Sequence, residues 1–328
     1  MKNNDKILII GTGSIAQRHI KNIFSLYKKK KKIPNIFIFS RKKARKTIII
    51  KKFHTKINFL NNKNNFKKIK FDYIFITSDI SSHIKWLKFF KKDNVKIFCE
   101  KPVVINEKEI HWLEKNKMYF QKVFVGFQFR FNPITIKLKK ILKRKEFGKL
   151  LLSKFDVGQD IKDWRKNTDY KKELAFGKTN KKKRSVIWEL CHDVDLMFHL
   201  IGYPKKIFGQ ESKIKYKRMY TKDFAHLITT HKNNSKTIIS QNMFSPIIYK
   251  NIKMIFQKAL VSADFINGKI FIKIKDKKKK KFLLEKDRNI SFMRELDTFL
   301  KNKKTKVNSL NDGLKVSKFI NRFQNKTK

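Results

Sequence analysis

Residues 6–16 read Lys6, Ile7, Leu8, Ile9, Ile10, Gly11, Thr12, Gly13, Ser14, Ile15, Ala16. A short apolar strand runs directly into two glycines and then into the start of a helix. The first glycine permits a tight turn and the second lets backbone approach a pyrophosphate. The third position needs only a small residue, here Ala16, for helix-to-strand packing. Amides at the helix N-terminus then face the phosphates. The stretch predicts a dinucleotide site formed by Gly11, Gly13, Ser14, Ile15 and Ala16. A plain glycine turn is the simpler reading of the same residues, but the position between strand and helix favours the site.

Outward from this turn, strands and helices alternate. A second strand, residues 35–39, ends in Ser40 and Arg41, where an NAD-specific site would carry an acid for the ribose hydroxyls. A hydroxyl beside a guanidinium suits a 2′-phosphate, so the loop favours NADP over NAD. A third strand, 71–77, leads into the polar turn 77–82 and a helix carrying His83, Trp86, Leu87 and Phe90. Ligands bind at the carboxyl ends of such strands, which makes Thr77, Ser78 and His83 cofactor candidates. Ser81 or Ser82 also suits a helix cap, and His83 reads equally as a helix-surface residue. The strand 95–99 delivers Glu100, Lys101 and Pro102. Taken alone, Lys101 is more simply a salt-bridged turn residue. A helix over 106–116 and a strand over 122–126 continue the alternation, which implies an α/β fold with a parallel, doubly wound sheet. The domains are expected at 1–122 and 123–328.

The 328 residues carry a formal charge of +56. Clustered basic residues neutralise phosphates, yet Lys outnumbers Arg by about six to one, whereas bidentate readout of nucleic acid favours Arg. Asn, Ile and Phe are abundant and Gly and Ala scarce, as A/T-rich codons would give. The charge is spread along the chain and reads as a solvated surface, so nucleic acid is not an expected partner. Residues 72–84, 123–129 and 185–204 are free of Lys and Arg and stand out against it. Two cysteines, Cys99 and Cys191, provide no disulfide framework. No apolar run approaches the roughly 18 residues that span a bilayer. A soluble cytoplasmic protein without a membrane partner is expected.

Beyond residue 148 a strand over 150–157 precedes a polar segment, 159–170, holding Asp160, Asp163, Trp164, Arg165, Asp169 and Tyr170. Its aromatic and paired polar groups suit a hydroxylated substrate, against the plainer reading of a surface loop with Trp164 tucked into the core. A helix is expected from 186 to 201. At 100° per residue, Ile187, Leu190, Cys191, Val194, Met197, Phe198 and Ile201 share one arc, and Glu189, His192, Asp195 and His199 share another. His192 exchanges protons near neutral pH, and Glu189 or Asp195 could fix its tautomer. The same residue types could hold a metal, but none is expected. Apolar runs at 225–230, 237–241, 251–256 and 269–274 suit an open sheet, with a hairpin at Asn233 and Asn234 and a solvated loop at 277–281. Helices over 290–301 and 310–323 close the chain.

Four motifs in order, residues 11–19, 77–83, 100–102 and 126–133, resemble the glucose-fructose oxidoreductase, inositol dehydrogenase and rhizopine catabolism protein family (Gfo/Idh/MocA), and 189–202 adds a fifth. The resemblance implies a Rossmann domain followed by an α+β domain with a large, mostly antiparallel sheet that usually forms a homo-oligomer interface. It implies hydride transfer between nicotinamide and a secondary alcohol or ketone of a sugar or related molecule. Lys101 would be catalytic or substrate-orienting, because an amine shifted towards neutrality can shuttle a proton. His192 would share the proton handling, with Glu189 and Asp195 beside it. Glu100, Lys101 and Gln128 would border the cofactor, and Lys101, Arg130, Trp164, Arg165, Tyr170 and His192 the substrate. Asp163, Trp164 and Arg165 resemble a feature of members associated with surface-polysaccharide sugars. The chain also departs from the family. Lys183, Arg184 and Ser185 stand where glycines are common, and Trp188 stands four residues before His192, where many members have Asp. A non-catalytic nucleotide-binding relative is the competing expectation.

Overall fold

The computed structural model describes residues 1–40, 57–164, 185–214, 221–277, 279–301 and 307–326. Apolar runs of four or five residues flanked by breakers form the strands of the first sheet: β1 (Lys6–Ile10), β2 (Asn35–Phe39), β3 (Ile57–Leu60), β4 (Tyr73–Ile76), β5 (Lys96–Cys99) and β6 (Val123–Val125). All pair in parallel in the order β3-β2-β1-β4-β5-β6. Order therefore reverses at β1, and the turns that leave β1 and β4 diverge there, the arrangement that opens a crevice for ligand in such sheets.

Among the described residues, three α-helices connect these strands, Ser14–Lys29, Ile80–Phe89 and Glu107–Lys115. The last starts at Asn106, whose side chain accepts from the Lys108 amide at 2.9 Å, while Glu107 and Glu109 oppose the helix dipole. The core of this sheet is aromatic. Phe75, Phe98 and Phe124 stack at 5.2 and 5.6 Å, and Phe299 meets Phe75 and Phe98 edge-on. Phe299 belongs to the late helix Arg288–Lys301, because the first compact unit comprises Met1–Phe127 together with Phe292–Ser317.

The second unit comprises Gln128–Ser291 and Lys318–Lys328. Its strands are β7 (Leu150–Gly158), β8 (Lys206–Ser212), β9 (Phe224–Thr230), β10 (Lys236–Asn242), β11 (Tyr249–Phe256), β12 (Ala259–Asp264), β13 (Lys269–Ile274) and β14 (Lys280–Leu283). They form one sheet in the order β14-β13-β12-β11-β7-β10-β9-β8, antiparallel except for β7 beside β10. Period-2 patterning sets the faces: on β11, Lys250, Ile252, Met254 and Phe256 are buried and Asn251 and Lys253 exposed. The Asn233–Asn234 turn joins β9 to β10, with Asn234 at φ 61° and the Asn233 carboxamide accepting from the Ser235 amide.

Three expectations of element are corrected. The helix over 186–201 is two pieces, Val186–Glu189 and His192–Leu200. The break falls where the Leu190 carbonyl accepts from the Gln241 side chain at 2.8 Å and from the Asp193 amide at 3.1 Å. Tertiary packing on β10 there overrides a continuous helical period. Lys280 and Lys281, expected in a loop, begin β14 through pairing with β13. Within 159–170, Ile161–Trp164 forms a short helix. Among the described residues no helix is long and apolar enough to cross a membrane.

Candidate functional site

In the first unit the candidate residues gather around the glycine turn. Gly11 has φ +115°, and a Cβ on it would lie 2.9 Å from the Thr77 carbonyl oxygen and 3.0 Å from the Ser78 amide nitrogen. The protein itself therefore requires glycine here. Gly13 differs. Its backbone is extended, at φ −67° and ψ 178°, and a Cβ on it would meet nothing within 4 Å. Among the described residues no atom claims that space, which lies at the N-terminus of a 16-residue helix. A phosphate approaching those amides is the occupant such an opening fits, so the turn fits a dinucleotide. Ala16 is fully buried under the turn, Ile15 is half-buried and Ser14 exposed.

The neighbouring strand ends brace this turn. The Thr77 hydroxyl donates to the Ile10 carbonyl at 2.9 Å, and the Thr12 and Ser40 hydroxyls meet at 3.2 Å. Ser78 and Ser82 share a hydroxyl contact at 2.6 Å, and Ser82 caps back onto the Asp79 carbonyl. His83 is enclosed in protein. Its Nε2 lies 3.1 Å from the Ser78 carbonyl, and its Nδ1 lies 3.1 and 3.2 Å from those of Pro102 and Val103. Burial lowers its pKa, and a neutral imidazole has a single N–H to donate among these carbonyls. His83 is thus a strut linking the turn after β4 to the turn after β5.

The turn after β5 carries Glu100, Lys101 and Pro102. Glu100 Oε1 lies 2.8 Å from His19 Nε2, and Oε2 accepts from the Lys101 amide at 3.3 Å. Gly126 makes room for this carboxylate, since a Cβ there would come within 3.2 Å of Oε2. Lys101 itself is half-buried.

In the second unit, Gln128–Phe131 forms a single turn whose Gln128 and Arg130 are buried. Arg130 grips Asp195 in bidentate fashion, with Nε at 2.9 Å from Oδ2 and Nη2 at 2.5 Å from Oδ1. It also lines a concavity of about 200 Å³ with Ile136, Lys139, Lys140, Lys143 and His199. Burial, then the charges of Arg130 and Lys143, lower the Lys139 pKa. Glu189, His192 and Asp195 are all buried, and the His192 ring meets Phe129 edge to face at 5.0 Å. Asp193 is buried as well, bound by Gln241 Nε2 at 3.0 Å and by the Lys250 ammonium. Trp188, four residues before His192, is fully buried and donates to Gln324 at 3.0 Å.

Within the first unit the structure thus brings together Gly11, Thr77 and Ser78, and separately Glu100 and Lys101. In the second unit it joins Arg130 to Asp195. Arg41, Arg165 and Tyr170, the side chain of Trp164, and Lys183 and Arg184 lie outside the described residues. Sequence reasoning missed His19, Asp193, Gln241 and Lys250. His19 had a signal, a histidine on the buried side of the helix that follows the glycine turn. Lys250 had only a weak one, a lysine in phase with the buried residues of an alternating strand.

Residues 6–119 match the model of GFO_IDH_MocA, described as an oxidoreductase family with an NAD-binding Rossmann fold. No curated protein matches the chain. Among solved structures, an oxidoreductase from Agrobacterium radiobacter in complex with NAD+, L-tartaric acid and magnesium aligns over 99% of this chain and 96% of its own, at 14% identity and a TM-score of 0.80. A myo-inositol dehydrogenase from Corynebacterium glutamicum aligns over 96% and 94%, at 15% identity and a TM-score of 0.75. A levoglucosan dehydrogenase in complex with NADH and levoglucosan aligns over 98% and 96%, at 11% identity and a TM-score of 0.81. At such identities the likeness is one of fold along the whole chain. The family match and the glycine turn it spans carry the likeness further in one region: residues 6–119 are similar to the NAD-binding Rossmann domain of the GFO_IDH_MocA oxidoreductase family.

Proposed function

We propose that this protein is a nicotinamide-dependent oxidoreductase acting on a secondary alcohol or ketone of a sugar or sugar derivative, a surface-polysaccharide precursor or nucleotide sugar among them. The observation that carries the reading is the pair of glycines after β1. Gly11 is required by the fold, whereas Gly13 leaves, among the described residues, an opening at a helix N-terminus that a phosphate would suit. The solved relatives support the substrate class, since they include an inositol dehydrogenase and a levoglucosan dehydrogenase.

When bound, the nicotinamide supplies hydride transfer. In this reading Gly11, Gly13, Ser14, Ile15 and Ala16 receive the pyrophosphate, while Thr77, Ser78, Glu100 and Gln128 border the cofactor. Ser40 and Arg41 receive a 2′-phosphate, which favours NADP, because the end of β2 offers a hydroxyl and a guanidinium and no acid. Lys101 and His192 hold or move the proton of the reacting hydroxyl. Asp195, gripped by Arg130, holds the helix that begins at His192, and Glu189 borders the same segment. Arg130, Trp164, Arg165 and Tyr170 are the substrate-side candidates. Self-association through the outer face of the second sheet is supported by Phe208, 74% exposed and paired across the strands with the exposed Ile228. A second reading, a nucleotide-binding relative without turnover, is favoured by one observation, the core tryptophan Trp188 where an acid would stand.

The test is a fluorescence titration with NADPH and with NADH, followed by turnover against sugars, cyclitols and nucleotide sugars. Binding of both with NADPH tighter, and turnover of a panel member, is the expected outcome. Binding without turnover would favour the second reading, and absence of nicotinamide binding would overturn both.

A further inference from the structure

Asp193 follows His192 directly, at the start of the helix His192–Leu200, and is 2% exposed. Its carboxylate is held from two strands. Gln241 of β10 donates to Oδ2 at 3.0 Å, and the Lys250 ammonium of β11 pairs with Oδ1. The same Gln241 amide donates to the Leu190 carbonyl at 2.8 Å, so it also fixes the break between the two helical pieces.

Lys250 occupies an inward position of β11, in phase with Ile252 and Met254, and is 7% exposed. Alternation calls for an apolar side chain there, and a buried ammonium is costly unless it is paired. Its ammonium stands 4.7 Å from the centre of the Phe129 ring and 5.8 Å from that of Phe265. Phe129 is also the ring that His192 meets edge to face, at 5.0 Å and 74°. The contacts therefore close a circuit: Lys250 to Asp193, along one peptide to His192, across to Phe129, and back to Lys250. A circuit of this kind restrains both the backbone that carries the imidazole and the ring against which it rests.

We propose that Asp193 and Lys250 are positioning residues that set the His192 imidazole against Phe129. The proposal rests on the reading above in giving His192 the proton, but its geometry can be tested apart from turnover. Neither residue belongs to the Glu-Lys-Pro turn or to the acid and histidine positions that the family resemblance supplied. The pair acts through His192 and need not touch substrate. A neutral isostere at either position leaves the other charge buried without its partner, which drives a local rearrangement at the residue next to His192.

The experiment uses the full chain with its histidine rings labelled for NMR, the His192 signals being assigned by their loss in His192→Gln. Ring-current shift from Phe129 makes these signals report the position of the imidazole. Lys250→Met and Asp193→Asn should each displace them and lower kcat by about tenfold or more, with the KM for NADPH unchanged. Lys250→Arg, which keeps the ion pair, should leave both near wild type. The exchanged pair Asp193→Lys with Lys250→Asp should recover most of the shift and the rate. Single variants that melt earlier but keep the His192 signals and kcat would overturn the proposal and make the pair a packing device only. Failure of the exchanged pair to recover anything, in a variant that still melts cooperatively, would count against it equally. A wild-type protein that binds no nicotinamide or turns over no substrate would sink the functional reading alone, since the NMR comparison stands without it.

Discussion

The His19 imidazole and the Glu100 carboxylate meet at 2.8 Å across 81 residues of chain, tying the helix after the glycine turn to the turn that carries Lys101. His19 is fully buried, and its ring packs edge-on to Phe98 at 4.8 Å. The carboxylate thus serves a helix and a turn at once, accepting from the Lys101 amide on its other oxygen.

Removing that carboxylate should loosen both the helix and the turn. Glu100→Ala leaves a buried imidazole nitrogen without its acceptor, a loss of about 1–3 kcal/mol. Glu100→Gln keeps an acceptor oxygen and should lose less. Thermal melting of the two variants, with and without NADPH, checks this: the alanine variant should melt lower and gain less from cofactor.

The two glycines of the turn should separate folding from binding. Gly11→Ala places a Cβ 2.9 Å from a carbonyl oxygen at φ +115° and should destabilise the unit by at least about 1–3 kcal/mol. Gly13→Ala meets no atom of the described residues and should leave the melting temperature unchanged or slightly raised, since the unfolded chain loses freedom. Its NADPH affinity should nonetheless fall. Equal loss of stability in both variants would contradict the difference between the two positions.

Arg130 and Asp195 form a buried bidentate pair, with side chains 7% and 1% exposed. Asp195→Ala should cost about 3–5 kcal/mol because the guanidinium remains buried without its counter-charge. Arg130→Met combined with Asp195→Leu should recover much of that loss, as apolar replacements of both partners often do. Denaturation of the single and double variants measures the difference.

Lys96 gives a pH dependence whose sign is fixed. Burial first, and the Lys122 charge second, push its pKa down to about 8 from 10.5. Between these values the unfolded chain binds more protons than the folded one at this group, so its contribution to stability rises with pH. Against Lys96→Met, which lacks the titration, the wild-type melting temperature should gain as pH goes from 7 to about 10. Tyr73, pushed up to about 12 chiefly by burial, works in the opposite direction above pH 10, where the unfolded phenol ionises first. Parallel curves for wild type and Lys96→Met across this range would refute the assignment.

Residues 6–16 decided the first domain without help from the rest of the chain, because a strand period, a glycine with φ +115° and a helix start are all conditions imposed within a few residues. The alternation of strand and helix through residue 125 was legible for the same reason. The candidate site was legible only as a set of residue types. His192, Asp195 and Arg130 could be picked out, but the pairing of Arg130 with Asp195 spans 65 residues, that of Asp193 with Lys250 spans 57, and that of His19 with Glu100 spans 81. Nothing local specifies such partners. They exist because packing on a particular sheet face brings the side chains together and denies them water, and that burial turns two distant charges into an obligatory pair. The helical break at Leu190 has the same origin, since its carbonyl answers to Gln241 on β10. Local backbone preference set the elements, and tertiary burial decided which of their polar groups must meet.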